Sequence, residues 1–226
     1  MSVSLPEGEP VGTDGAMGFR TLRAGAEATG TCEDRRSRFI AQLVRVCDEH
    51  EAEEHLARVR AQHHDARHHV FAWVLADGRE RCSDDGEPSR TAGMPVLDVL
   101  RGTGLADVCC VVTRYFGGTL LGPGGLVRAY AAAASDALAT AEKDGSIAQM
   151  TLVTPVVAQL PYALYERVAR LATEAGGRVD DALFAEDVQL TCLFRAGDEE
   201  RFCGAVRELA SGEELCRALG PRFAEF

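Results

Sequence analysis

The chain has 226 residues, 46% of them hydrophobic and 26% charged, with a formal net charge of −11. That length supports one large domain or two modest ones, each with its own core, and the composition excludes a disordered or fibrous chain. The acidic balance counts against a general nucleic-acid binder, which carries a basic excess somewhere: residues 1–145 hold 16 Lys and Arg against 22 Asp and Glu, and residues 146–226 hold 8 against 13.

No apolar run approaches the ~20 residues of a membrane helix, so no membrane is expected as a partner. The amino terminus, MSVSLPEGEPVGTDGAMG, lacks the basic start and apolar stretch of a secretory signal. It reads as a flexible tail over 1–18, with Met17 as a second candidate start. Eight cysteines stand at 32, 47, 82, 109, 110, 192, 203 and 216, none in C-x-x-C spacing. They predict free thiols in a reducing compartment, the cytoplasm.

Phe19 to Cys32 and Phe39 to Cys47 read as two strands joined by the charged turn EDRRSR. Asp48 caps a helix to about His64, with Ala52, His55, Leu56, Val59 and Arg60 at helical spacing. His69 to Leu75 is an apolar strand, Ala76-Asp77-Gly78 a hairpin turn, and Arg79 to Ser83 the return. A polar loop from Ser83 to Gly93 precedes a short helix over Pro95 to Arg101, and VCCVVT (108–113) is a buried strand. A second glycine-bearing segment, Thr113 to Tyr130, leads into an alanine-rich helix from about Gly124 to Ala141.

Composition shifts at Glu142-Lys143-Asp144-Gly145, a plausible linker between domains over 19–142 and 146–226. Beyond it the pattern is strand (150–159), helix (162–175), strand (178–184), strand (187–194), helix (198–210) and strand (214–223). That β-α-β-β-α-β order fits a ferredoxin-like domain. The fold class is therefore α+β.

The acidic loop puts Asp84, Asp85 and Glu87 within four residues, followed by Ser89 and Thr91. Such oxygens can hold a hard cation or supply an acid–base carboxylate. Equally, they can satisfy turn backbone, with Thr91 capping the next helix. Arg81 and Arg90 flank the acids and can neutralise them, which weakens the metal reading. The second segment holds five glycines, two arginines and no acid. Amides at Gly124 and Gly125 beside a helix start favour an anion, Arg114 and Arg128 can add bidentate contacts, and Tyr115, Phe116 and Tyr130 can stack on bases. Alternatively, Gly117, Gly118 and the other glycines serve tight turns and close packing, with the aromatics in the core.

The tract HHDARHH (His63, His64, His68, His69) spans a helix end and a strand start, so its rings are expected to diverge. His68, at the mouth of a strand pairing back toward Asp84, is the one candidate there for a shared site. Cys82 sits beside carboxylates that raise a thiol's pKa, there is no G-x-S-x-G elbow, and Ser89 can be activated by His68 only if folding brings the two together.

Taken together, Ser37-Arg38-Phe39-Ile40, His68 within ARHHVFAW, SDDGEPSRTAGMP and VVTRYFGGTLLGPGGLVRAY resemble the Impact family, whose bacterial members are YigZ-like. The resemblance implies an N-terminal Impact-type domain with the α+β fold of a small-subunit ribosomal protein and of the fourth domain of elongation factor G. It also implies a ferredoxin-like second domain. Family members are linked to translation regulation, so RNA or a ribosome-associated protein is the implied partner. Two residues depart from the family pattern: Arg90 stands where glycine is usual, and Val70 where cysteine is frequent, which argues against a thiol in any mechanism. Three functions stay open: an RNA or ribosome contact, a hydrolase or phosphoryl-handling enzyme using both loops, and a protein-binding adaptor. No cofactor and no metal are expected.

Overall fold

The computed structural model describes residues 18–226; of the tail expected over 1–18, only Gly18 is described, and it opens a strand, while the Met17 start lies outside the described residues. The described residues divide into two units, Phe19–Ala148 and Gly18 with Gln149–Phe226.

The first unit carries most of β1 (Gly18–Leu22), then β2 (Glu27–Asp34), β3 (Ser37–Arg45), α1 (Glu49–Gln62), β4 (His68–Val74), β5 (Glu80–Ser83), α2 (Gly93–Thr103), β6 (Val108–Tyr115) and α3 (Pro123–Lys143). Its sheet runs β2-β3-β6-β4-β5, antiparallel throughout. Central β6 is buried along its length because helices cover both faces. Val108, Cys110 and Val112 join the core under α2 and α3, while Cys109 and Val111 join the one under α1. This two-sided burial is why VCCVVT reads as an unbroken apolar run rather than an alternation.

Local chemistry sets the element ends. Asp48 accepts a hydrogen bond from the Glu51 amide (2.9 Å) while the Glu51 carboxylate accepts one from the Cys47 amide (2.6 Å), a reciprocal cap at the start of α1. Along α1, Ala52, His55, Leu56 and Val59 are buried and Arg60 is exposed. The single strand expected over 19–32 is two strands, because a turn closed by the Ala26 amide on the Arg23 carbonyl (3.0 Å) interrupts it. The EDRRSR turn is tighter than expected: Arg35 and Arg36 both take positive φ (47° and 66°), and pairing continues to Asp34 and Ser37. Gly30 lets α3 lie on β2, since a Cβ there would meet the Ala137 backbone nitrogen at 2.0 Å. Glu142 and Lys143 fall at the end of α3, which Gly145 and Ser146 close by bonding back to Glu142 and Ala141.

The second unit contains most of β7 (Ile147–Leu160), then α4 (Tyr162–Glu174), β8 (Arg178–Phe184), β9 (Val188–Arg195), α5 (Glu199–Leu209), β10 (Cys216–Ala218) and β11 (Arg222–Glu225). Strand β9 lies between β7 and β8, and both β10 and β11 pair with β7. The β-α-β-β-α-β order is thus realised, with Val168, Ala172, Phe202 and Val206 of the two helices packed on Val156, Leu190 and Phe194 of the strands. The last strand, expected unbroken over 214–223, is interrupted at Leu219-Gly220-Pro221, where proline has no amide to offer the ladder.

Candidate functional site

Strand register builds the site. Phe39, Arg114 and His68 stand in one row across β3, β6 and β4, in phase with the residues that face α2 and α3.

Within the acidic loop the three carboxylates part company. Asp84 turns inward and accepts from the amides of Arg90 (2.8 Å), Ala92 (3.1 Å) and Gly93 (2.8 Å), satisfying the open start of α2. Thr91 is therefore not the cap; its hydroxyl donates to the Pro88 carbonyl (2.7 Å). Asp85, at φ 41°, pairs through Oδ1 with Arg60 (2.8 Å) and accepts the His69 amide on Oδ2 (2.7 Å). Glu87 is buried, its Oε1 accepting from Arg114 Nη1 (2.7 Å) and the Tyr130 hydroxyl (2.8 Å). Among the described residues no group of three or more His, Cys, Asp or Glu is gathered to hold a metal ion. Arg81 pairs with Glu49 (2.5 Å) on the α1 side, away from this loop's carboxylates. Ser89 and Arg90 are exposed, Arg90 with its backbone at φ 62°.

Only residues 116–122 of the second segment are irregular; Thr113–Tyr115 belong to β6 and Pro123–Tyr130 to α3. Arg114 was expected to meet an anion, but its charge is met by Glu87, at 7% and 4% side-chain exposure. The guanidinium lies over the rings of Phe39 (5.5 Å) and Phe116 (5.6 Å), and its Nε is buried without a partner. Tyr130 is fully buried, edge-on to Phe39, so it offers no stacking face. Burial, then Glu87, push its hydroxyl pKa up and keep it a donor. The Tyr115 hydroxyl donates to Asp65 (3.1 Å) and meets His63 Nδ1 (2.9 Å). Gly117 sits against the β2–β3 turn, where a Cβ would come within 2.0 Å of the Arg36 carbonyl carbon, and its amide donates to Ser37 Oγ (3.1 Å). Gly118 is an exposed turn residue. Of the amides expected to favour an anion, that of Gly125 donates to the Gly122 carbonyl (3.1 Å). Gly124 and Arg128 are exposed neighbours at the start of α3 and do not line the cavity described next.

The two loops nonetheless converge on one cavity of about 770 Å³, together with the α1–β4 connection at Asp65–His68. Glu87, Arg114 and His68 are among its polar lining, and Phe116, Leu120 and Leu126 among its apolar lining. His68 Nδ1 lies 2.8 Å from the Asp85 carbonyl. A carbonyl only accepts, so Nδ1 carries the hydrogen, and in the neutral ring Nε2 is an acceptor. His69 is tied to the His63 carbonyl (3.1 Å) and its pKa is lowered by burial; the tract's rings have separate partners. Burial and Asp84 push the Cys82 thiol up, away from nucleophilic use.

Three arginines were named in the sequence only within motifs or the charged turn; one lines the cavity and two touch residues that line it. Arg67 lines it; Arg38 lies over the Tyr115 ring (5.3 Å); Arg35 donates to the Leu120 carbonyl (3.2 Å). None has a carboxylate partner among the described residues, whereas Arg60, Arg81, Arg101 and Arg114 do. The RR of the β2–β3 turn was the available signal, but only the fold brings it beside Leu120.

Comparison with known proteins gives a consistent result. The family model of the Impact N-terminal domain matches residues 35–138, and that of a domain of unknown function, DUF1949, matches 159–213. The Impact family member YvyE of Bacillus subtilis is 34% identical over 180 residues, 79% of this chain and 81% of that one. The family member YigZ of Escherichia coli is 34% identical over 191 residues, covering 83% and 92%. A crystal structure described as that of a hypothetical protein is 31% identical and superposes with a TM-score of 0.60 over 90% of this chain and 97% of that one.

Proposed function

The chain belongs to the Impact family, and from that premise we propose that it is a translation-associated regulatory protein whose first unit contacts RNA of the translation apparatus. The observation that carries this reading is the trio Arg35, Arg38 and Arg67 beside the cavity, free of carboxylates among the described residues in a chain of net charge −11. A local basic edge of this kind attracts a phosphate backbone without overall basicity. The translation link itself comes from the family resemblance. All eight cysteines are free, which suits the cytoplasm.

Binding of the full chain to labelled single-stranded RNA, followed against salt, tests the proposal. Affinity falling with salt is expected; no binding at low salt, or no slope, refutes it. A protein-binding adaptor is the second reading, favoured by Phe116 and Leu120 at 55% and 80% exposure beside the same cavity. Nuclease-insensitive capture of a ribosome-associated protein would favour it. The enzyme reading is weaker, because Asp84 and Asp85 hold backbone amides and Glu87 holds Arg114. Among the described residues no helix is long and apolar enough to cross a membrane.

A further inference from the structure

We propose that the cavity between the two loops takes one unpaired nucleobase of a single strand, read at its edge by the Glu87–Arg114 pair and stacked on Phe116. The proposal rests on the RNA reading above and adds what enters the pocket.

The floor is a buried ion pair that is incomplete as it stands. Both lone pairs of Glu87 Oε1 are taken, by Arg114 Nη1 and the Tyr130 hydroxyl. Glu87 Oε2 and Arg114 Nη2 have no partner among the described residues and both still reach solvent, while Arg114 Nε is buried without one. Unsatisfied groups on side chains at 4% and 7% exposure call for a further hydrogen-bonding group. The pair offers an acceptor beside a donor, and the edge of a nucleobase presents a donor beside an acceptor. In its neutral ring, His68 at the cavity wall adds a second acceptor through Nε2.

Charge and shape divide the work. Glu87 and Arg114 neutralise each other, so the floor has no net attraction for a phosphate. Unpaired positive charge lies instead at the edge, on Arg35, Arg38 and Arg67. The cavity, about 770 Å³, is otherwise walled by Pro88, Leu121 and Leu126, and Phe116, with the Arg114 guanidinium over one face of its ring, offers its remaining exposed ring surface. Phosphates outside and a base inside is the arrangement a single strand requires; a duplex keeps its base edges occupied.

The test uses the full chain at low salt. It compares a short labelled single-stranded RNA with an equally long strand lacking its bases, the same sequence as a duplex, and a free mononucleotide as competitor. Loss of the bases is expected to weaken binding roughly tenfold, with the duplex weaker still and the mononucleotide a poor competitor. Phe116→Ala is expected to weaken the intact strand by a similar factor and leave the baseless strand unchanged. Equal binding of intact and baseless strands would overturn the base pocket while leaving the RNA reading in place. Displacement by an equimolar mononucleotide would reassign the pocket to a free nucleotide. If no RNA binds at all, both readings fall and a protein partner takes their place.

Discussion

Glu87→Gln is the most informative single change, because it removes a charge and almost no volume. In the native chain Arg114 Nη1 lies 2.7 Å from Glu87 Oε1, at 7% and 4% side-chain exposure. Arginine cannot shed its proton in a protein, so the variant leaves a buried cation whose partner is a neutral amide. Breaking a buried pair on one side costs about 3–5 kcal/mol, and the amide oxygen keeps part of the hydrogen bonding for Tyr130, so about 3 kcal/mol is expected. At a few degrees per kcal/mol for a unit of this size, Tm falls by roughly 10 °C. Trp73, the single tryptophan, lies in the first unit and is 4% exposed, so its fluorescence reports the right transition. Glu87→Met with Arg114→Met is expected to recover part of the loss, since it leaves no stranded charge and only the buried Tyr130 hydroxyl without its acceptor. A Tm shift under about 2 °C for Glu87→Gln, or a double variant as unstable as the sum of the singles, would refute the buried-pair account.

Asp84→Ala strands the amides of Ala92 and Gly93 at the start of α2 and is expected to cost about 2 kcal/mol in denaturant unfolding; a neutral result would contradict its capping role. Arg90→Gly removes a Cβ from a residue held at φ 62° and is expected to raise stability by up to about 1 kcal/mol, the left-handed strain outweighing the added unfolded-state freedom. A clear loss would show that the Arg90 side chain makes a stabilising contact. Burial lowers the pKa of both His55 and His69, so the folded unit resists their protonation while the unfolded chain does not. Stability is then full above the unfolded value of about 6.5 and declines as pH falls below it, until the folded values are passed. Unfolding curves between pH 7 and 5 are expected to show that decline, and His55→Gln to flatten it.

Periodicity and caps made most of the fold legible. Asp48 marked α1, the turn at Ala76-Asp77-Gly78 separated β4 from β5, and β8 was placed to the residue. Breaks inside strands were harder to read: the turn at 23–26 and the gap at 219–221 are short interruptions of sequence that remains strand-like on both sides. At the site, both loops stood out by composition, but their internal pairing did not. Arg114 and Glu87 are 27 residues apart, and only the register of β6 against β3 and β4, with α3 laid over Phe39, brings Tyr130 to the same oxygen. Tyr130 looked available for stacking because helical phase alone does not say which face of α3 is covered. Arg38 and Arg67 stood in the family motifs but not among the candidate site residues, because nothing local distinguishes an unpaired arginine from a paired one.

The central claim, an RNA contact at the edge of this cavity, is tested most directly by the salt dependence of single-stranded RNA affinity in the native chain and in Arg35→Gln, Arg38→Gln, Arg67→Gln. Three phosphate contacts predict a log–log slope of about −2 for the native chain. In the triple variant most of that slope should vanish while the Trp73 melting transition stays in place. An unchanged slope and affinity in a folded triple variant would contradict the account.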